Sequence, residues 1–234
     1  MNVEAILILG PLGLLSGLLL SWGVAFFAYG AVPKSGRRWG VLPETCSRVK
    51  GTEWAWPLLG WGAVWAAWFA PLPPWGFWGG WALLLYLLLV SLVDLESLRF
   101  PTAEALIGLV LGLVLGIARN GLNAAVAGGL VGWGTLALAY GVLALLNRLG
   151  KRAFRGDSAG IPLGWGDVRL AGVLGLVLGM NALAGVLFGL MAGAAMALVA
   201  LVVAALRRQN LLAVGIPYAP ALAAGCLIAL VLAG

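Results

Sequence analysis

Apolar runs of membrane-crossing length follow one another almost end to end in this chain, and they decide what it can fold into. Ala5 to Ala31 and Ala182 to Leu206 carry no charged side chain, and neither does Trp81 to Val93. About 20 apolar residues in a helix span the hydrocarbon of a bilayer. Eight such segments can be drawn, at about 5–30, 54–70, 74–93, 102–118, 122–147, 167–181, 183–206 and 211–233. The chain is 63% hydrophobic and 9% charged, against about 25% charged in a soluble domain. The runs are continuous rather than alternating, which disfavours a membrane barrel. The expected fold is an all-α, polytopic membrane helical bundle of about eight transmembrane helices. The first run is too long for a signal-peptide core, and Met1 to Glu4 bring no basic group. It reads as a retained helix.

The breaks between segments have physical causes. Pro71, Pro73 and Pro74 part the second segment from the third. Arg119-Asn120-Gly121 supplies a turn. Only Asn181 and Ala182 part the sixth from the seventh. Many of the twelve tryptophans fall near segment ends in the first half, as an interfacial belt requires. Gly108, Gly112 and Gly116 recur at four-residue spacing and let helices approach closely.

Charge fixes the orientation. If the segments alternate, thirteen of the fourteen basic residues share one side: Lys34, Arg37, Arg38, Arg48, Lys50, Arg99, Arg148, Lys151, Arg152, Arg155, Arg169, Arg207 and Arg208. Arg119 alone falls on the other. The positive-inside rule makes the basic side cytoplasmic and puts both termini outside. Asp94 then ends a helix arriving at the cytoplasmic face, and Asp167 begins a helix leaving it.

Acids so close to hydrocarbon are expensive and mark a pathway, a partner or a catalytic site. Interfacial aspartates also cap helices or pair with neighbours such as Arg99 and Arg169. The chain has no histidine, so Ser-His and Cys-His nucleophile systems and histidine metal sites are excluded. Its two cysteines, Cys46 and Cys226, make no CxxC pair. Two carboxyls sharing a proton need neither histidine nor metal: one acts as base on water, and the other polarises a carbonyl and protonates the leaving amine. The glycines of Gly164-Trp165-Gly166-Asp167 are expected to permit positive φ and to leave room beside the acid.

Three segments carry a resemblance. Asp94-Leu95-Glu96-Ser97-Leu98-Arg99-Phe100-Pro101 has an aspartate followed seven residues later by a proline. Gly164-Trp165-Gly166-Asp167-Val168-Arg169 is a Gly-x-Gly-Asp segment followed by an apolar and a basic residue. Ile216-Pro217-Tyr218-Ala219-Pro220 is similar to an Ile-Pro-Phe-Gly-Pro stretch. In this order and spacing, across about residues 81–234, the chain resembles the type IV prepilin peptidases.

The resemblance implies an aspartic endopeptidase with Asp94 and Asp167 as its dyad. Gly164, Gly166 and Pro101 would shape the site's backbone, with Pro217 and Pro220 in a supporting motif. It implies that a short basic leader is cut from a prepilin or pseudopilin helix lying in the plasma membrane, at the cytoplasmic face. Proteolysis needs no cofactor. Many family members also methylate the new N-terminus with S-adenosylmethionine, which that activity would require here if retained. Nucleic acid has no part. Bacterial members often carry two CxxC pairs in the first cytoplasmic loop. Here that loop has only Cys46, so no metal site is expected, and Gly60 stands where the family usually has glutamate. The expected organisation is a membrane segment at 1–80 lacking the CxxC pairs, and a peptidase domain at 81–234.

A basic leader would be repelled by the basic loops, so Glu96, Glu104 and Asp157 are the expected leader contacts. Two rival readings use the same acids. A presenilin- or signal-peptide-peptidase-like protease also has Gly-x-Gly-Asp, and Pro220-Ala221-Leu222 matches its Pro-Ala-Leu. That group usually presents Tyr-Asp where Val93-Asp94 stands. A proton-coupled transporter would use Asp94 and Asp167 as ion sites, but such sites tend to lie near the midplane.

Overall fold

The computed structural model describes residues 3–24, 26–27, 55–69, 75–97, 100–154, 164–206 and 217–233. These form eight α-helices: α1 (Val3–Val24), α2 (Ala55–Phe69), α3 (Gly76–Ser97), α4 (Thr102–Asn120), α5 (Leu122–Phe154), α6 (Trp165–Leu178), α7 (Ala182–Leu206) and α8 (Ala219–Leu232). A 3₁₀ turn at Gly179–Asn181 joins α6 to α7. No strand occurs among the described residues. Four stretches are long and apolar enough to cross a membrane: Gly76–Leu95, Thr102–Asn120, Leu122–Leu146 and Trp165–Val203. The chain divides into two compact units, residues 1–104 and 105–234. That boundary follows packing and lies inside α4, whereas the division at residue 80 follows motifs.

In the first unit, α1 packs against α2 and α3. Ser16 lies in α1, where its hydroxyl donates to the Leu12 carbonyl at 2.7 Å and accepts from the Trp81 indole N–H of α3 at 3.0 Å. A buried hydroxyl is costly unless bonded, so this link also fixes the register of α1 on α3. Further along, a Cβ added at Gly23 would lie 2.8 Å from a Leu89 methyl, so α3 sits hard against that glycine. Val24, Phe27 and Val93 are buried together there, with Leu89 and Leu92 packed on them. The buried residues of α3 are Gly80, Leu83, Tyr86, Leu87, Val90, Val93 and Asp94. Their spacing is one helical face, and Asp94 is its last member.

In the second unit, small residues set the geometry. A Cβ on Gly112 would come within 3.0 Å of the Val173 carbonyl, and one on Gly116 would strike the Leu176 carbonyl. On α5, Gly128 abuts the Gly175 and Gly179 carbonyls, Gly132 abuts Ala171, and Trp133 meets Gly172. Rising numbers on α5 therefore match falling numbers on α6, so the two run antiparallel. Gly193 meets Tyr218, Gly189 meets Leu222 and Gly185 meets Ala229, which makes α7 and α8 antiparallel as well. Ala171, Leu174, Leu178, Val186, Leu222 and Cys226 line one small apolar gap between α6, α7 and α8.

Turns follow from local chemistry. Gly121 takes φ +78°, and its N–H closes on Ile117 O at 3.0 Å, ending α4. Gly179 takes φ +57° at the end of α6, beside the Asn120 side chain. Asn120 Nδ2 donates to Val177 O at 3.0 Å, satisfying a carbonyl that the end of α6 would leave unbonded. The chain thus folds back at Gly179–Asn181. On α4, Leu106, Val110, Val114 and Ile117 are exposed, while Glu104, Gly108, Gly112, Leu115 and Gly116 are buried. An outward apolar stripe on a helix suits lipid.

Backbone contact at glycine makes a sharp test. Gly128→Ala should cost about 1–3 kcal/mol, because its Cβ meets backbone that cannot swing away. Gly134 has nothing within 4 Å of its added Cβ, so Gly134→Ala should be neutral or stabilising by up to about 1 kcal/mol. Thermal unfolding of the two variants in detergent reads the difference, and equal melting temperatures would show that α5 and α6 do not meet at Gly128.

Candidate active site

Asp167 is the third residue of α6 and is held by its own turn. Its Oδ2 accepts the Gly164 N–H at 2.8 Å, and its N–H donates to the Gly164 carbonyl at 3.1 Å. Asp167 therefore caps the helix it begins, and the partial positive charge of a helix N-terminus favours an anion there. The glycines act differently from expectation. Gly164 has φ −86° and ψ 154°, ordinary extended backbone, and Gly166 lies inside α6. Among the described residues only Gly76, Gly121 and Gly179 are glycines with positive φ, so the positive-φ reading of Gly164 and Gly166 is corrected. Room is what matters at Gly164, where an added Cβ would sit 3.3 Å from Asp167 Oδ2.

Trp165, beside this turn, is part of an aromatic cluster. Its ring meets Trp133 at 6.2 Å and Tyr140 at 5.6 Å between centroids, both edge to face. These contacts tie the turn to α5, each worth about 0.5–1.5 kcal/mol beyond burial. Pro217 lies just before α8 and Pro220 in its first turn, where a missing N–H costs no helical bond. Between them Tyr218 lies against Gly193, within electrostatic range of Asp167. Sequence reasoning assigned a role to Pro217 and Pro220 of this segment and none to Tyr218. Its phenol is the polar group that this motif brings towards Asp167.

Asp94 lies in the last turn of α3 and is 9% exposed. The negative end of the helix dipole makes a carboxylate unfavourable there. Pro101 immediately precedes the first residue of α4. Glu104, expected as a surface contact for a basic leader, has 0% exposure. It belongs to the buried stripe of α4, so that expectation is corrected. The side chain of Glu96 and all of Asp157 lie outside the described residues. Asp94 and Glu104 fall in the first unit and Asp167 in the second. No group of three or more His, Cys, Asp or Glu able to hold a metal occurs among the described residues. Comparison with protein-family models, curated proteins and solved structures finds no match to this chain.

Proposed function

We propose that the chain is a membrane aspartic endopeptidase of the type IV prepilin peptidase kind. It would cross the plasma membrane eight times with both termini outside and cut the basic leader from a prepilin or pseudopilin at the cytoplasmic face. The observation that carries this reading is that two carboxyls terminate apolar helices inside Asp-x6-Pro and Gly-x-Gly-Asp segments, in a chain without histidine. Helix packing supports the motif reading: Gly164 leaves room at the Asp167 carboxylate, and Tyr218 of the Pro-Tyr-Ala-Pro segment approaches the same acid.

In this mechanism Asp167, at a helix N-terminus, is the carboxylate that takes a proton from water. Asp94, at a helix C-terminus, is the acid that polarises the scissile carbonyl and then protonates the leaving amine. The substrate helix is already in the bilayer, so encounter is lateral and only the leader must be gripped.

Asp94→Asn and Asp167→Asn should each lower cleavage of a prepilin by at least about 10²–10⁴-fold. Both should still insert, and Asp167→Asn keeps an oxygen for the Gly164 N–H. Purified variants in detergent, scored by leader release and by melting temperature, test this. Near-wild-type processing by either would remove that acid from the dyad. Proteolysis should also survive chelators and Cys46→Ser, because the dyad chemistry calls on no metal. Activity lost to chelation and restored by zinc would overturn that.

A further inference from the structure

Three aromatic side chains stand in a row where α6 begins. Trp133 and Tyr140 are seven residues apart on α5, which puts them two turns apart on one face. Trp133 lies beside Gly172 and the two helices run antiparallel, so the residue seven before Gly172 comes level with Tyr140. That residue is Trp165. Its ring centroid is 6.2 Å from that of Trp133 and 5.6 Å from that of Tyr140, at interplanar angles of 84° and 67°. Gly172 makes the seat: a Cβ added there would lie 3.3 Å from the Trp133 Cβ.

Packing does not use these rings up. Trp133 is 44% exposed, Trp165 is 45% exposed and Tyr140 is half-buried. In an edge-to-face pair only one of the two rings has a face covered by the other. The row therefore keeps uncovered ring faces, the negative side of the aromatic quadrupole. Such faces attract ammonium and guanidinium groups, and tryptophan attracts them best.

Ion pairing offers a cation little in this unit. Residues 105–234 carry eight basic side chains and only two acids, Asp157 and Asp167. A neutral surface with a negative face escapes that imbalance. The positive end of the α6 dipole would oppose a cation, but Asp167 accepts the Gly164 N–H there and offsets it. Trp165 and Asp167 are two residues apart, so they project from opposite sides of α6. Row and carboxylate are then separated by roughly 10 Å, the width of a helix, which an extended peptide covers in about three residues.

We propose that Trp133, Trp165 and Tyr140 form a binding site for a lysine or arginine side chain of a peptide, held by cation–π attraction at the start of α6. That the peptide is the basic leader, with its scissile bond at Asp167, rests on the protease reading; the cation site itself does not. The rings offer the leader a contact that Glu104, fully buried, cannot.

The test uses the full chain in a maltoside detergent, which carries no ammonium group to compete for the rings. The probes are synthetic peptides with a neutral leader ahead of an apolar helix. They differ at one position, about three residues before the cleavage point: lysine, trimethyl-lysine or norleucine. Wild type should bind the lysine and trimethyl-lysine peptides roughly two- to thirtyfold more tightly than the norleucine peptide. Trp165→Leu should bring that ratio close to one, and Trp165→Phe should keep part of it. Trp133→Leu reads the same ratio where Trp165→Leu fails to fold, as melting temperatures show. No preference in wild type, or a preference untouched by the tryptophan variants, would overturn the proposal. So would a preference abolished by trimethylation, which marks a hydrogen-bonded ion pair instead. Tryptophans that serve only as an interfacial anchor would lower the melting temperature and leave the ratio alone, which also overturns it. If wild type prefers the lysine peptide but releases no leader, the protease reading falls and the cation site stands. If it releases the leader and the ratio ignores the tryptophans, the cation site falls and the protease reading stands.

Discussion

Backbone pressed against backbone at glycine holds the second unit together. Lipid tails are as apolar as leucine, so burying leucine between membrane helices gains little, and close van der Waals packing has to supply the attraction. Gly128, Gly132 and Gly175 let α5 and α6 meet at main-chain distance, and Gly112 and Gly116 bring α4 onto the same helix. This packing positions more than the helices. With α6 seated on α5, Trp165 falls between Trp133 and Tyr140, and the Gly164–Asp167 turn is held at the end of a helix that cannot slide. The placement of the candidate catalytic turn is thus inherited from a glycine stripe that begins about one helical turn away, where Gly132 meets Ala171.

The two aspartates occupy opposite electrical settings, which is what a pair with divided roles requires. Asp167 sits where unbonded N–H groups gather and has one of them bound. Asp94 sits where carbonyls gather, on a buried face. The helix dipole favours a carboxylate at the first place and disfavours one at the second. Helix direction therefore sets the two acids apart before any substrate is considered.

Helix positions were legible in the sequence because length of apolar run decides them, and tertiary context has little to override. All eight helices fall within the drawn segments or extend them by a few residues at most ends; the last begins eight residues later than drawn, in a stretch partly outside the described residues. The larger departures are polar. Helix α5 continues to Phe154 and α3 to Ser97, past the points where hydropathy fades, because a helix goes on while its backbone bonds can form. The Gly179 turn was legible only as a short gap; its positive φ and its Asn120 partner, distant in sequence, were not. Gly164 shows the limit differently. A glycine before an acid can serve conformation or space, and only coordinates distinguish a φ of −86° from a positive one.

Glu104 went wrong for an instructive reason. Read as a charge near a helix end, it looked like solvated surface. Read as a position, it stands four residues before Gly108, at the head of the series that continues through Gly112 and Gly116. That series is the buried stripe of α4, and period outranks chemistry in deciding which way a residue faces. Once it faces inward, its chemistry becomes the informative part: Pro101 denies it a cap, and both its carboxyl oxygens stay buried without a hydrogen-bond partner. The proline that marks the first motif segment thereby has a second use. Besides standing just before α4, it lacks the backbone N–H that a glutamate at the third helical position ordinarily reaches back to, and so leaves the inward carboxyl without that local donor.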